Sequence, residues 1–214
     1  MNISFLRLTA EWNCPQEVKN VLLSAVWAVW VFSNCLFILK GKENGVFWRV
    51  IMKKVAVVMG SDSDLKVVEK AILTLKDYGV ETEVHIYSAH RTPVEAREFT
   101  LNARDNGIGV IIACAGKAAH LAGAIAANTT LPVIGVPIKA SVLDGMDALL
   151  STVQMPAGIP VATVAIDGAE NAALLAIQIL AVEDKELAKK LQDARDQKKQ
   201  KILAIDKEIN QKYN

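Results

Sequence analysis

Cysteine, histidine and aromatic residues are scarce in this sequence, and so is any surplus of charge. The three cysteines (Cys14, Cys35, Cys114) show neither paired nor metal-type spacing. That pattern offers no zinc site and suits a reducing compartment. The formal net charge is +1, with 24 Lys and Arg against 23 Asp and Glu, so no global field argues for nucleic acid. No tryptophan occurs after Trp48, which leaves nothing of that kind to cover a flavin ring. Common nucleotide patterns are also missing. Gly60-Ser-Asp-Ser-Asp64 is not G-x-G-x-x-G, and its carboxylates would repel a pyrophosphate. Gly116-Lys117 resembles the end of a P-loop, but Ile111 stands at the first glycine position and Ala118 replaces the Ser or Thr. A phospho-acceptor receiver would need an aspartate where the chain has Cys114-Ala115-Gly116.

The composition is uneven. All four tryptophans, four of five phenylalanines and two of three cysteines precede Met52. Residues 1–52 carry five Lys and Arg and three Asp and Glu, which leaves 19 against 20 for the remainder. Two differently composed pieces meet near Met52. The first holds an uncharged run, Val21 to Leu39, flanked by Lys19, Lys40 and Lys42. Its length suits a bilayer-spanning helix. Three readings compete: a membrane anchor, a signal sequence without an evident cleavage pattern, or a segment foreign to the mature protein. Met52-Lys53-Lys54 directly before a strand reads as an ordinary domain start, and the composition break favours the last reading.

From Lys53 onward strands alternate with helices. Val55–Met59, Ile108–Cys114 and Pro132–Val136 are short continuous apolar runs, as in strands buried on both faces. Val80–Tyr87 alternates weakly, which suggests an edge, and Val161–Ile166 gives a fifth strand. Helical spacing follows each: Leu65 to Leu75 with Gly79 as C-cap, Val94–Asn106, a small-residue helix to about Asn128, Asp144–Val153, and Asn171–Ala181. Short links and strict alternation predict an α/β fold: a three-layer, doubly wound, parallel five-stranded sheet of flavodoxin-like type. The expected boundaries are 1–52 for the N-terminal piece, 53–182 for the domain and 183–214 for a long C-terminal amphipathic helix. On that helix Leu187, Leu191, Ala194, Ile202, Ile205 and Ile209 form a broken stripe. The stripe fits either a solvated helix or one packed on a neighbouring subunit.

In such sheets ligands bind beyond the carboxyl ends of the strands. Three polar loops fall there: Gly60–Asp64, Ser88–Pro93 and Ala115–His120. Asp62 is expected to N-cap the next helix, and Asp64 to hydrogen-bond a diol such as a ribose. Ser61 and Ser63 can donate to anionic oxygens beside helix-start amides. Arg91 can pair bidentately with a phosphate, the bland alternative being a surface ion pair. His90, between Ala89 and Arg91, is the best proton-transfer group, because imidazole titrates near neutrality. His120 can orient a ligand carboxylate or be structural, and His85 is scaffold. Small residues around Gly116 let a planar ligand or small neutral molecule approach the backbone. Gln154-Met155-Pro156 is expected to add an apolar wall, contributed across a subunit contact.

These residues carry a resemblance. Met59-Gly-Ser-Asp-Ser-Asp64, Ser88-Ala-His-Arg-Thr-Pro93, Ala115-Gly-Lys-Ala-Ala-His-Leu121, Leu131-Pro-Val-Ile-Gly-Val-Pro137, Ser151-Thr-Val-Gln-Met-Pro156 and Asn171-Ala-Ala-Leu-Leu175 occur in order and at family spacing. Residues from about Lys53 to Glu186 closely resemble the bacterial N5-carboxyaminoimidazole ribonucleotide mutases, the PurE family of purine biosynthesis. The resemblance implies a cytoplasmic homo-octamer with no metal and no organic cofactor. A membrane association would enter only through residues 21–39. It implies an isomerase that moves a carboxylate from the exocyclic nitrogen to ring carbon four of an imidazole ribonucleotide, through carbon dioxide. By position, His90 becomes the general acid/base. Ser61 and Asp64 bind substrate, Arg91 binds the phosphate with Ser88 nearby, and Gly116 and His120 line a carbon dioxide pocket. A related group carboxylates aminoimidazole ribonucleotide directly with free carbon dioxide. In that group a lysine follows the loop histidine and the Ala-Ala-His run is missing, so Arg91 and His120 side with the mutases. Lys117 and Ala122 stand where many mutases have glycine and proline. A non-catalytic ribonucleotide-binding subunit is the alternative from another class.

Overall fold

The structure is a computed structural model that describes residues 53–141 and 143–214. The expectations for residues 1–52, including the run Val21–Leu39, lie outside the described residues. Among the described residues no helix is long and apolar enough to cross a membrane.

Met52–Asn214 forms one unit. Its strands are β1 (Lys54–Met59), β2 (Thr82–Ile86), β3 (Ile108–Gly116), β4 (Val133–Ile138) and β5 (Ala162–Thr163). Its helices are α1 (Leu65–Asp77), α2 (Pro93–Asn102), α3 (Leu121–Ala126), α4 (Met146–Val153), α5 (Ala169–Leu180) and α6 (Lys185–Tyr213). Short 3-10 turns precede α1 (Asp62–Asp64) and α4 (Leu143–Gly145). The sheet is parallel throughout, in the order β2-β1-β3-β4-β5. The expected doubly wound, flavodoxin-like arrangement is therefore present.

Two apolar layers explain the continuous apolar runs. Val55, Val57 and Met59 of β1 face α1, α5 and the start of α6, while Ala56 and Val58 face the α2 and α3 side. Strand β3 divides the same way, with Val110, Ile112 and Cys114 in one layer and Ile111 and Ala113 in the other. A strand with both faces buried has no polar position to alternate with. The weak alternation of β2 has the opposite cause. It is an edge strand, with Val84 40% and Ile86 53% exposed.

Several elements are shorter than the sequence predicts, among them β2, which spans Thr82–Ile86 rather than Val80–Tyr87. Strand β5 is only two residues long, pairing with β4 through Ala162 and Thr163. Beyond it the chain bends, and Asp167 adopts φ 57°. Helix α2 stops at Asn102, and the chain turns through to Gly107 at φ 82°. Helix α4 starts at Met146, because Leu143, Asp144 and Gly145 all take positive φ. The C-terminal helix divides in two. Asp184 caps it by accepting from the amides of Glu186 and Leu187, both at 2.9 Å. Leu187 and Leu191 then enter the core, each burial contributing up to about 2 kcal/mol. Ile202, Ile205 and Ile209 are exposed.

Candidate active site

The parallel order brings the carboxyl ends of β1, β2, β3 and β4 to one edge. A cavity of about 780 Å³ opens there. Ser61, Asp64, Ser88, His90, Arg91, Gly116 and His120 all line it, so every candidate residue is brought together. Asp62 does not line it.

The first loop is built on Ser61. Its hydroxyl accepts from the Ser63 amide at 3.4 Å, as the cap of the 3-10 turn, and donates to Asp62 at 2.9 Å. The expectation that Asp62 caps the following helix is therefore corrected: Asp62 lies inside a 3-10 turn that Ser61 caps, and α1 begins after Asp64 with no side-chain cap. The Ser61 hydroxyl, helped by the Ser63 amide, holds the Asp62 carboxyl below the ordinary range. Asp64 sits deeper, only 7% exposed, and burial pushes its pKa up. A buried carboxylate held weakly by the Ser63 hydroxyl at 3.4 Å and the Ser61 backbone still has acceptor capacity to spare. A ribose diol would satisfy it.

The second loop is organised by Ser88. Its Oγ accepts from the amides of His90 (3.4 Å) and Arg91 (3.2 Å) and from Arg91 Nε (3.4 Å). Thr92 closes the turn by accepting from the Ser88 amide at 2.8 Å. Arg91 Nη2 donates to the Gly60 carbonyl at 2.9 Å, tying this loop to the first. The guanidinium is thus pre-oriented at the cavity while keeping donors for an anion.

The third loop brings the second imidazole. His120, at the start of α3, places Nδ1 2.9 Å from His90 Nε2, with the rings edge to face at 5.0 Å. One ring donates and the other accepts, so the tautomers are tied. Either both rings carry a proton on Nε2, or both neutral rings carry it on Nδ1. Two imidazolium rings would point two N–H groups at one another. The first arrangement lets His90 become the cation while His120 accepts. His85 lies outside the cavity. It bonds Glu83 at 2.9 Å and stacks on Tyr87 at 4.9 Å, as a scaffold residue does.

Backbone approach shapes the remaining wall. A Cβ at Gly116 would come within 3.2 Å of the Ile138 carbonyl. Lys117, the next residue, has φ 56°. Glycine adopts that left-handed conformation without cost, whereas a lysine does not. Ile138, Lys139, Ala140 and Ser141 form a fourth side that sequence reasoning assigned no role. Lys139 and Ser141 bring an ammonium and a hydroxyl, but in no recognisable pattern, and only their place after a strand marked them. Gln154-Met155-Pro156 does not line the cavity of this chain. Met155 instead packs over Gly123, where a Cβ would meet its sulfur at 3.1 Å.

The family model for AIR carboxylase matches residues 54–201. The chain belongs to the AIR carboxylase family. Within this family, the N5-carboxyaminoimidazole ribonucleotide mutase of Methanocaldococcus jannaschii is 53% identical over 159 residues, 74% of this chain and 99% of that one. The phosphoribosylaminoimidazole carboxylase of Saccharomyces cerevisiae is 52% identical over 149 residues, 70% of this chain but 26% of that one. Among solved structures, Treponema denticola PurE is similar at a TM-score of 0.68 and 30% identity, covering 73% of this chain and 98% of that chain.

Proposed function

We propose that this AIR carboxylase family member is an isomerase of purine biosynthesis, converting N5-carboxyaminoimidazole ribonucleotide to 4-carboxy-5-aminoimidazole ribonucleotide. The observation that carries the reading is the His90–His120 pair, set between an arginine and a wall of small residues in one cavity. Arg91 holds the phosphate as a charge-assisted pair, beside the hydroxyls of Ser61 and Ser88. Asp64 accepts from the ribose. The carboxylate leaves the exocyclic nitrogen as carbon dioxide, and His90 gives that nitrogen a proton. Carbon dioxide stays beside Gly116 and His120, where proximity favours recapture over escape. Ring carbon four attacks it, and His90 takes the proton that this carbon loses. One proton has moved from carbon to nitrogen, and no carbon dioxide is consumed.

A second reading, direct carboxylation of aminoimidazole ribonucleotide, draws support from the yeast relative that carries the carboxylase name. An octamer is part of the proposal, supported by the exposed Val84, Ile86, Ile202, Ile205 and Ile209. The full-length chain tests both points. Turnover of the carboxyamino substrate without added bicarbonate, by a particle of eight chains in sedimentation, is the expected result. Activity that needs aminoimidazole ribonucleotide and bicarbonate would move the chain to the carboxylase reading. We place the catalytic unit in the cytoplasm and outside residues 1–52. The composition break and the family match from residue 54 support that placement. Mass spectrometry of the native N-terminus tests it, and a mature chain that keeps Trp27 and Trp30 would overturn it.

A further inference from the structure

Among the residues lining the cavity, Lys117 alone has positive φ, at 56°. An L side chain in that conformation costs about 1–2 kcal/mol, and glycine would remove the cost. A non-glycine residue kept there points to work done by its side chain. The three cations of the cavity differ in how they are occupied. Arg91 bonds Gly60 and Ser88. Lys139 pairs with Asp144 at 2.9 Å, and its amide donates to Asp167. Lys117 is exposed and takes part in no ion pair among the described residues.

We propose that Lys117 is the anchor for the migrating carboxylate, and that it makes the site prefer carboxylated ribonucleotides over the decarboxylated one. The inference rests on the mutase reading. Such a substrate carries two anionic groups. The first two loops already offer one of them a guanidinium, two hydroxyls and helix-start amides, all beyond β1 and β2. Lys117 lies on the other side, directly after β3 and three residues before His120, whose ring touches that of His90. With Arg91 and the hydroxyls of the first two loops on the phosphate, the cation on the His120 side is left to the carboxylate. An ammonium on a four-carbon stem is a point charge without the fixed fork of arginine. It follows the carboxylate from nitrogen to carbon with little loss.

Carbon dioxide is neutral. The ion pair therefore exists before and after the transfer and is weakest between. Lys117 then tightens binding of substrate and product alike, which lowers KM without raising kcat.

The test uses the full-length chain with Lys117→Gly and Lys117→Gln. Glycine removes both charge and backbone strain, whereas glutamine removes only the charge. Calorimetry gives the affinity of each protein for 4-carboxy-5-aminoimidazole ribonucleotide and for 5-aminoimidazole ribonucleotide. Both variants are expected to bind the carboxylated ligand about 5- to 10-fold more weakly, with the other ligand unchanged. KM rises and kcat does not fall, because the lost ion pair held substrate and product more tightly than the neutral intermediate, and only Lys117→Gly raises Tm. Equal losses for both ligands would assign Lys117 to the phosphate or ribose, and no loss would leave it without this role. Either result overturns the proposal. Absence of turnover by the wild type, with binding retained, sinks the mutase reading instead, and the affinity ratio still decides the role of Lys117. A wild type that binds neither ligand overturns both.

Discussion

The two walls of the cavity are made by opposite means. The wall beyond β1 and β2 is made of side chains that hold one another. Ser61 caps its own turn, Ser88 gathers two amides and a guanidinium, and Arg91 bridges to Gly60. The wall beyond β3 and β4 is made largely by leaving side chains out. Gly116 lies against the Ile138 carbonyl, and Ala118 and Ala140 add only methyl groups. The first wall is pre-organised chemistry and the second is shape. Truncation should therefore damage the first wall, and alteration of backbone or charge should modulate the second.

His90→Asn gives the largest effect, because it removes proton transfer while keeping a hydrogen-bonding side chain. We expect kcat to fall about 10²- to 10⁴-fold, with KM within a few-fold. Steady-state turnover of the carboxyamino substrate measures it, and near-normal kcat would dissolve the contrast between the walls. Arg91→Ala comes next. Losing charge-assisted bonds to a phosphate costs about 1.5–3 kcal/mol, or about 10- to 150-fold in KM. A fall confined to kcat would mean that Arg91 acts on the reacting end instead. Asp64→Asn is the smallest effect and has the opposite sign on stability. Burial raises the pKa of Asp64, so the folded state holds its proton more tightly than the unfolded chain. The group favours folding when protonated, and that contribution is lost as pH rises through its folded pKa. Asn should raise Tm near neutral pH, and the gain should shrink as pH falls to the ordinary carboxylate range of about 3.9. Melts across that range, beside a ribonucleotide affinity that weakens, would show stability given up for binding. An unchanged or lower Tm at neutrality would remove Asp64 from that account.

Much of this was legible in the sequence. Continuous apolar runs marked β1, β3 and β4, because burial on both faces leaves no alternation to hide them. The three polar loops followed from strand ends, and the family motifs fixed their order. What stayed illegible depended on backbone geometry. The positive φ of Leu143, Asp144 and Lys117 sits on residues whose types do not announce it. Asp62 has a good capping side chain, but a 3-10 turn capped by Ser61 intervenes before α1 and takes Asp62 into itself. The fourth side, Ile138–Ser141, carries a lysine and a serine in no motif, so only its place after β4 pointed to it. The stripe of α6 was visible, but its division after Leu191 into a packed and an exposed part depends on where the domain surface ends.

The strand order also has a kinetic consequence. His90 is made before His120 on the ribosome, yet their rings cannot meet until β3 has inserted beside β1. Each parallel pairing needs a crossover, so chain must be closed into a loop before the contact repays the lost entropy. The cavity takes residues from Gly60 to Ser141, and no segment shorter than β1 to β4 contains it. Recovery of the cavity on refolding therefore reports completion of the central sheet, not of any local turn.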